Sequence, residues 1–240
     1  MTAAVVFSAG NSASATLNTI EMAYLAVDAG GQQGMVLYGQ AHNGANGLMA
    51  MKTRNPIGEL AQQIPSHTWA YCYDATQYSD FAFATFTVKT LGQAIGSDKG
   101  DIISQLWAQY YNNAWQGDTY IYYGGFIGGQ PANTPENQQA LAFSFAVYEI
   151  FYDFNGGLSS LNLSTGSLLA TSAGTNPSAA IGIAQTWLNS LVLPVDYLGP
   201  KAQLVSISNC SLQDVIVEIP EPATITLLTM GFLTLIGKKK

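Results

Sequence analysis

Few side chains in this sequence can do nucleophilic chemistry: two cysteines, Cys72 and Cys210, and two histidines, His42 and His67. Cys72 with either histidine and Asp74 supplies the residue types of a Cys-His-Asp site, in which a nearby base or cation must draw the thiol to its thiolate. On one extended strand, however, residues five apart face opposite sides, so His67 and Cys72 diverge. The sequence contains no nucleophile elbow, phosphate loop or His-Glu-x-x-His zinc helix. Two histidines in all disfavour a zinc site built on histidine pairs, and Asp98, Asp101 and Asp118 lack the spacing of a calcium loop. The expectation is a protein without catalysis, cofactor or metal, with a Cys-nucleophile hydrolase as the lesser alternative.

The elements that must position these residues are legible from pattern. "EMAYLAVDAGGQQGMVLYG" reads as two strands joined at Gly30 and Gly31. "HTWAYCYDATQ", residues 67–77, reads as a strand with Trp69, Tyr71 and Tyr73 on one face and Cys72 and Asp74 on the other. "SDFAFATFTVKTL" continues the strand-like pattern through Val88. In "GDIISQLWAQYYNNAW" the apolar positions Ile102, Ile103, Leu106, Trp107, Tyr110, Tyr111, Ala114 and Trp115 form one helical stripe. "ENQQALAFSFAVYEIFYDF" is apolar nearly all round and predicts a buried helix stopped by Asn155-Gly156-Gly157. "NPSAAIGIAQTWLNSL" predicts a third helix, with Asn176 as N-cap, Pro177 in the first turn and Ala180, Ile183, Ala184, Trp187, Leu188 and Leu191 inward. "KAQLVSISNCSLQDVIVEI" closes the body as one or two strands. The expected fold class is α+β: a sheet or barrel-like body with a three-helix insert, plus a C-terminal hydrophobic helix.

Two features of the body have competing explanations. Tyr110, Tyr111, Trp115, Tyr120, Tyr122 and Tyr123, flanked by Asn, Gln and Asp, could stack sugar rings as a carbohydrate-binding module; alternatively the first three are helix core and the rest line a strand. Glu149, in an otherwise apolar helix, is either functional or paired with backbone or a lysine.

The chain carries 8 basic and 15 acidic residues, and three of the basic ones are Lys238, Lys239 and Lys240. The body is therefore acidic and would repel nucleic-acid phosphate. Ahead of those lysines, residues 223–236 form an uncharged run containing Ile225, Leu227, Leu228, Phe232, Leu233, Leu235 and Ile236. As a helix this run reaches roughly 21 Å, a short membrane span whose lysines would hold their end at the cytoplasmic face. It follows Pro220-Glu221-Pro222, where two prolines exclude helix and sheet and present an extended segment.

The Pro-Glu-Pro triplet, apolar run and basic end resemble the PEP-CTERM sorting signal of bacterial exported proteins. That resemblance implies a precursor held transiently in the inner membrane and cleaved near the triplet by an exosortase-type protease, with the mature form at the cell surface or extracellular. Residues 1–15 fit either the remnant of a signal peptide, with Ala13-Ser14-Ala15 as a cleavage-site-like stretch, or a polar lead-in to the first strand. Two body segments, "AYCYDATQ" and "AFSFAVYEIFYD", resemble the cysteine strand and the helix of PEP-CTERM proteins related to the thioester domains of surface adhesins. In those domains a Cys thiol and a Gln side chain form an internal thioester that captures an amine. Here the cysteine position falls on Cys72 and the glutamine position on Ser144, which has no acyl carbon to give; Gln139 lies five residues away on another part of the helix surface. The resemblance implies the fold without the thioester.

In an exported protein Cys72 and Cys210 could also pair, closing a loop worth roughly 4 to 5 kcal/mol in the chain-entropy model; the alternative is two independent thiols, one of them a small buried hydrophobe. The organisation expected is a possible signal remnant at 1–15, a thioester-domain-like body at 16–218 and a sorting tail at 219–240. The role expected is a structural or interaction protein in adhesion or matrix assembly, with surface polysaccharide or matrix proteins as partners.

Overall fold

The computed structural model describes residues 17–116, 134–171 and 177–220, and of 28–33, 43–45 and 177 the backbone alone. Its centre is a closed antiparallel barrel of six strands. Strand β1 (Thr19–Leu37) turns into β2 (Gln40–Ile57), and β3 (His67–Cys72) and β4 (Ala84–Thr90) follow before the helical region. Strands β6 (Leu204–Ser208) and β7 (Val215–Glu218) come after it. Around the barrel the neighbours run β1, β2, β3, β7, β6, β4 and back to β1, so no strand of the ring keeps a bare edge. The upper end of β1 also pairs with β5 (Leu168–Thr171), through Gly34 opposite Thr171 to Leu37 opposite Leu168.

Between β4 and β6 lie α1 (Leu91–Ile95), α2 (Ser97–Tyr110), α3 (Pro135–Asp153) and α4 (Pro177–Ser190). The three longer ones are the helices expected from the sequence. Helix α3 starts as its sequence dictates: the Thr134 side chain accepts the Asn137 N–H, and Pro135 occupies a first-turn position that needs no donor. Every residue from Ala140 to Ile150 is buried, so α3 is the central rod of the molecule, packed against the barrel on one side and α2 and α4 on the other. Its Phe143 joins an aromatic cluster with Tyr71 at 4.7 Å and Trp107 at 5.3 Å between ring centroids. Tyr111 stacks on Trp107 and Tyr110 on Trp187, which places Tyr110, Tyr111 and Trp115 in the packing between barrel and helices.

Three boundaries differ from the sequence expectation. Residues 19–37 are one strand that runs straight through Gly30 and Gly31, which pair with Gly47 and Asn46. The reversal comes at Tyr38 and Gly39, whose φ values of 49° and 79° make the mirror-image turn that matches the twist of a hairpin. Helix α2 begins three residues before Gly100 and ends at Tyr110, because Asn112 caps a separate short turn through its side chain; Ala114 is exposed there while Trp115 stays buried. Strand β3 ends at Cys72, where Asp74 folds the chain into a turn by accepting the Thr76 N–H. The closing segment is two strands, and Cys210 sits in the turn between them. Of the tail, Ile219 and Pro220 alone are described. Glu221, Pro222, the apolar run 223–236 and Lys238–Lys240 lie outside the described residues, as do residues 1–15 and Tyr120, Tyr122 and Tyr123. Among the described residues no helix is long and apolar enough to cross a membrane.

Candidate functional site

At one mouth of the barrel a cavity of about 390 Å³ opens beside the end of β3. Cys72 and Met49 lie within it, with the cysteine Sγ 3.3 Å from the methionine Sδ. Met49 pairs with Ala70 across the β2–β3 ladder, so Cys72, two residues along, shares its face. Met35 lies deeper on β1 and sits directly opposite His42, which also reaches the cavity. Helix α3 contributes Tyr148, whose hydroxyl donates to Asn46 Oδ1 at 2.8 Å.

The loop from Ala75 to Ser79 forms one wall and is tied, with Asp74 ahead of it, to the β6–β7 turn. Gln77 accepts the Asp214 N–H on its Oε1 at 3.0 Å, Gln213 donates its backbone N–H to Tyr78 O, and the Gln213 amide donates to Asp74 O at 2.6 Å. Tyr24, packed on Phe81 at 5.2 Å, borders the opening.

This environment disfavours the thiolate. Burial pushes the Cys72 thiol far above its ordinary value; the Tyr148 hydroxyl beside it acts the other way, and the Asp74 and Asp214 carboxylates push it further up. Tyr24 is pushed up to about 12, first by burial and then by the cysteine. No Lys or Arg lines the cavity beside the thiol, and His42 is the one lining side chain of the basic type that activates thiols.

The residues singled out from sequence are distributed as follows. His67 lies in a different cleft with Trp69 and Glu218, on the side of β3 away from Cys72, as strand parity requires. His42 reaches the same cavity as Cys72. Asp74 is occupied by Tyr152, whose hydroxyl donates to it at 3.0 Å, and by Thr76. Ser144 is buried at 2% exposure and does not line the cavity; its neighbour one helical turn on, Tyr148, takes the place beside the thiol. Gln139 does not line it either.

The disulfide is corrected: Cys72 and Cys210 are both free, the first inside the barrel and the second exposed at the β6–β7 turn. The hairpin explains it, since Val215 pairs with Cys72 while Cys210 projects beyond the ladder, past Ile207 opposite Val215. Asp101 pairs with Lys201 at 2.8 Å, Asp98 sits in the first turn of α2, and Asp118 lies outside the described residues. Among the described residues no three His, Cys, Asp or Glu side chains gather as metal ligands would.

Sequence reading missed most of the cavity wall: Tyr24, Asn46, Gln77, Tyr78 and Gln213 come from four separate segments with no shared spacing. Tyr148 alone had a signal, four residues after Ser144 on one helical face. Compared with known proteins, the chain matches no family model, no curated protein and no solved structure.

Proposed function

We propose that this chain is an exported cell-surface or extracellular interaction protein, acting in adhesion or matrix assembly through a thioester-domain-like body that has lost the thioester. The observation that carries the reading is the meeting of Cys72 and Tyr148. It joins at one cavity the strand and the helix on which the resemblance rests, with a serine at the acyl position and a thiol held protonated. A site of this kind binds and does not bond.

Delivery to the surface rests on the tail. Strand β7 runs directly into Ile219, whose N–H donates to Gln203 O, and then into exposed Pro220, the first residue of the Pro-Glu-Pro triplet on which the reading rests. In this reading an exosortase-type protease in the inner membrane cleaves beside that motif.

The test is the intact mass of the protein recovered from cells and from medium after exposure to methylamine. A species ending within 219–222 and carrying no amine adduct is expected. A full-length, membrane-held species removes the sorting role, and a methylamide on an acyl-donating side chain of α3, formed with release of the Cys72 thiol, removes the loss of the thioester.

A further inference from the structure

The lining of the barrel-mouth cavity specifies what it can hold. At about 390 Å³ it falls in the size range of small-molecule sites. No Lys, Arg, Asp or Glu is among its lining residues, and His42 is the one lining side chain that can carry a positive charge, so an ionised ligand meets no fixed partner of the Arg or carboxylate type there. Asp74 and Asp214, the nearest carboxylates, are turned into bonds with Tyr152 and Thr76 and with Tyr73 and Asn209. The acidic chain as a whole further disfavours an anion.

A purely apolar ligand fits no better, because amides and hydroxyls from Asn46, Thr76, Gln77, Ser79 and Gln213 line the cavity alongside its sulfur and methyl groups. Several of these polar groups are held in place. Gln77 is bonded through its side-chain oxygen to the Asp214 N–H and Gln213 through its amide nitrogen to Asp74 O, which lowers the entropy a ligand must overcome.

At the rim stands Tyr78, 84% exposed on a loop whose backbone is fixed at Tyr78 O by Gln213 and at Asp80 O by Tyr24. A large ring held in solvent by a tethered loop leaves its face open for stacking. Fixed neutral hydrogen-bonding groups beneath an open aromatic face match one ligand chemistry: hydroxyls along the edge of a ring and C–H groups on its face.

We propose that this cavity binds a neutral sugar, as a monosaccharide or the end of a surface polysaccharide, with Tyr78 as the stacking platform and Gln213 and Asn46 as hydrogen-bonding partners. The site deepens the interaction role proposed above by naming its ligand class, and it differs from the tyrosines near residue 120, which lie outside the described residues.

The test titrates the folded chain with glucose, galactose, N-acetylglucosamine and short oligomers of each, with glucuronate as the charged comparison, by ligand-observed NMR and calorimetry. Saturable binding of at least one neutral sugar is expected, weaker for glucuronate by about tenfold or more. Tyr78→Ala should weaken it by about tenfold while Tyr78→Trp retains it, both with unchanged melting because the ring is exposed. Absence of saturable binding by every neutral sugar, undiminished binding in Tyr78→Ala, or stronger binding of glucuronate overturns the proposal. Surface delivery is read separately from the mass of the mature chain. Correct processing without sugar binding overturns the ligand alone, and sugar binding by a chain that is never processed overturns the surface role alone.

Discussion

Glu149 Oε1 accepts the backbone N–H of Asn162 at 2.6 Å from the interior of α3, where the glutamate has no solvent exposure. Its Oε2 has no hydrogen-bond partner among the described residues. Burial raises the carboxyl from its ordinary value to about 8, the Asn162 bond lowers it in part, and the nearby Asp153 carboxylate raises it again. The carboxylate fastens the stretch after α3 to the helix and favours its proton while doing so.

The folded state therefore binds that proton more tightly than the unfolded chain. Stability from this group is fullest below the ordinary glutamate range and falls as pH rises toward 8, by a few kcal/mol at most. Glu149→Gln keeps the acceptor for Asn162 and removes the titration. Urea unfolding at pH 5 and pH 8 should show wild type losing stability between the two and the variant nearly flat. Equal slopes for both proteins would refute the assignment.

Asp153, one turn on, accepts the N–H groups of Ser167 and Leu168 at 2.7 and 2.8 Å, just ahead of β5. Asp153→Ala strands those donors and should cost about 2–3 kcal/mol by denaturant unfolding. Gly166 has φ 110°, and a Cβ there would fall 2.8 Å from Asp153 Oδ2, so Gly166→Ala should cost about 1–3 kcal/mol through the same clasp. A double variant less destabilised than the sum of the two would show the coupling.

Native alkylation distinguishes the two cysteines. Iodoacetamide at pH 8 should modify exposed Cys210 and leave buried, protonated Cys72 untouched until denaturant is added. Peptide mass mapping before and after denaturation gives the answer, and rapid native modification of Cys72 would revive a nucleophilic role.

Tyr71 is fully buried against Trp107, Tyr111 and Phe143, and its hydroxyl has no hydrogen-bond partner among the described residues. Tyr71→Phe removes an unsatisfied polar group at constant ring packing and should stabilise by about 1 kcal/mol. Tyr71→Ala should destabilise by about 3–5 kcal/mol. A destabilised Tyr71→Phe protein in thermal melts would mean that the hydroxyl has a partner after all.

The helices were the most legible part of this fold because their signals are local: the apolar run ahead of Asn155-Gly156-Gly157 gives the buried α3, and the periodic Ala180, Ala184, Leu188 and Leu191 give the buried face of α4. Strand limits were less so. Gly30 and Gly31 look like a turn, yet pairing along nearly the whole of β2 holds them in the ladder, a tertiary effect that no local pattern carries. The β-rich, barrel-like body was legible from strand patterns on both sides of the helices, but closure of the ring depends on β7 inserting between β3 and β6 from far along the chain. The candidate site was half visible. Parity separated His67 from Cys72, whereas the cavity wall is assembled from residues brought together only by that closure.

The same insertion has a mechanical consequence. Strand β7 is four residues long, hydrogen-bonded along both edges, and leads straight to Pro220. A pulling force entering through the tail would run along the strand axis and must shear both ladders together, since neither edge offers a free end from which bonds could open one at a time. Tension applied at this end would thus pass to β3 and β6 at once, and through them to the rest of the closed ring.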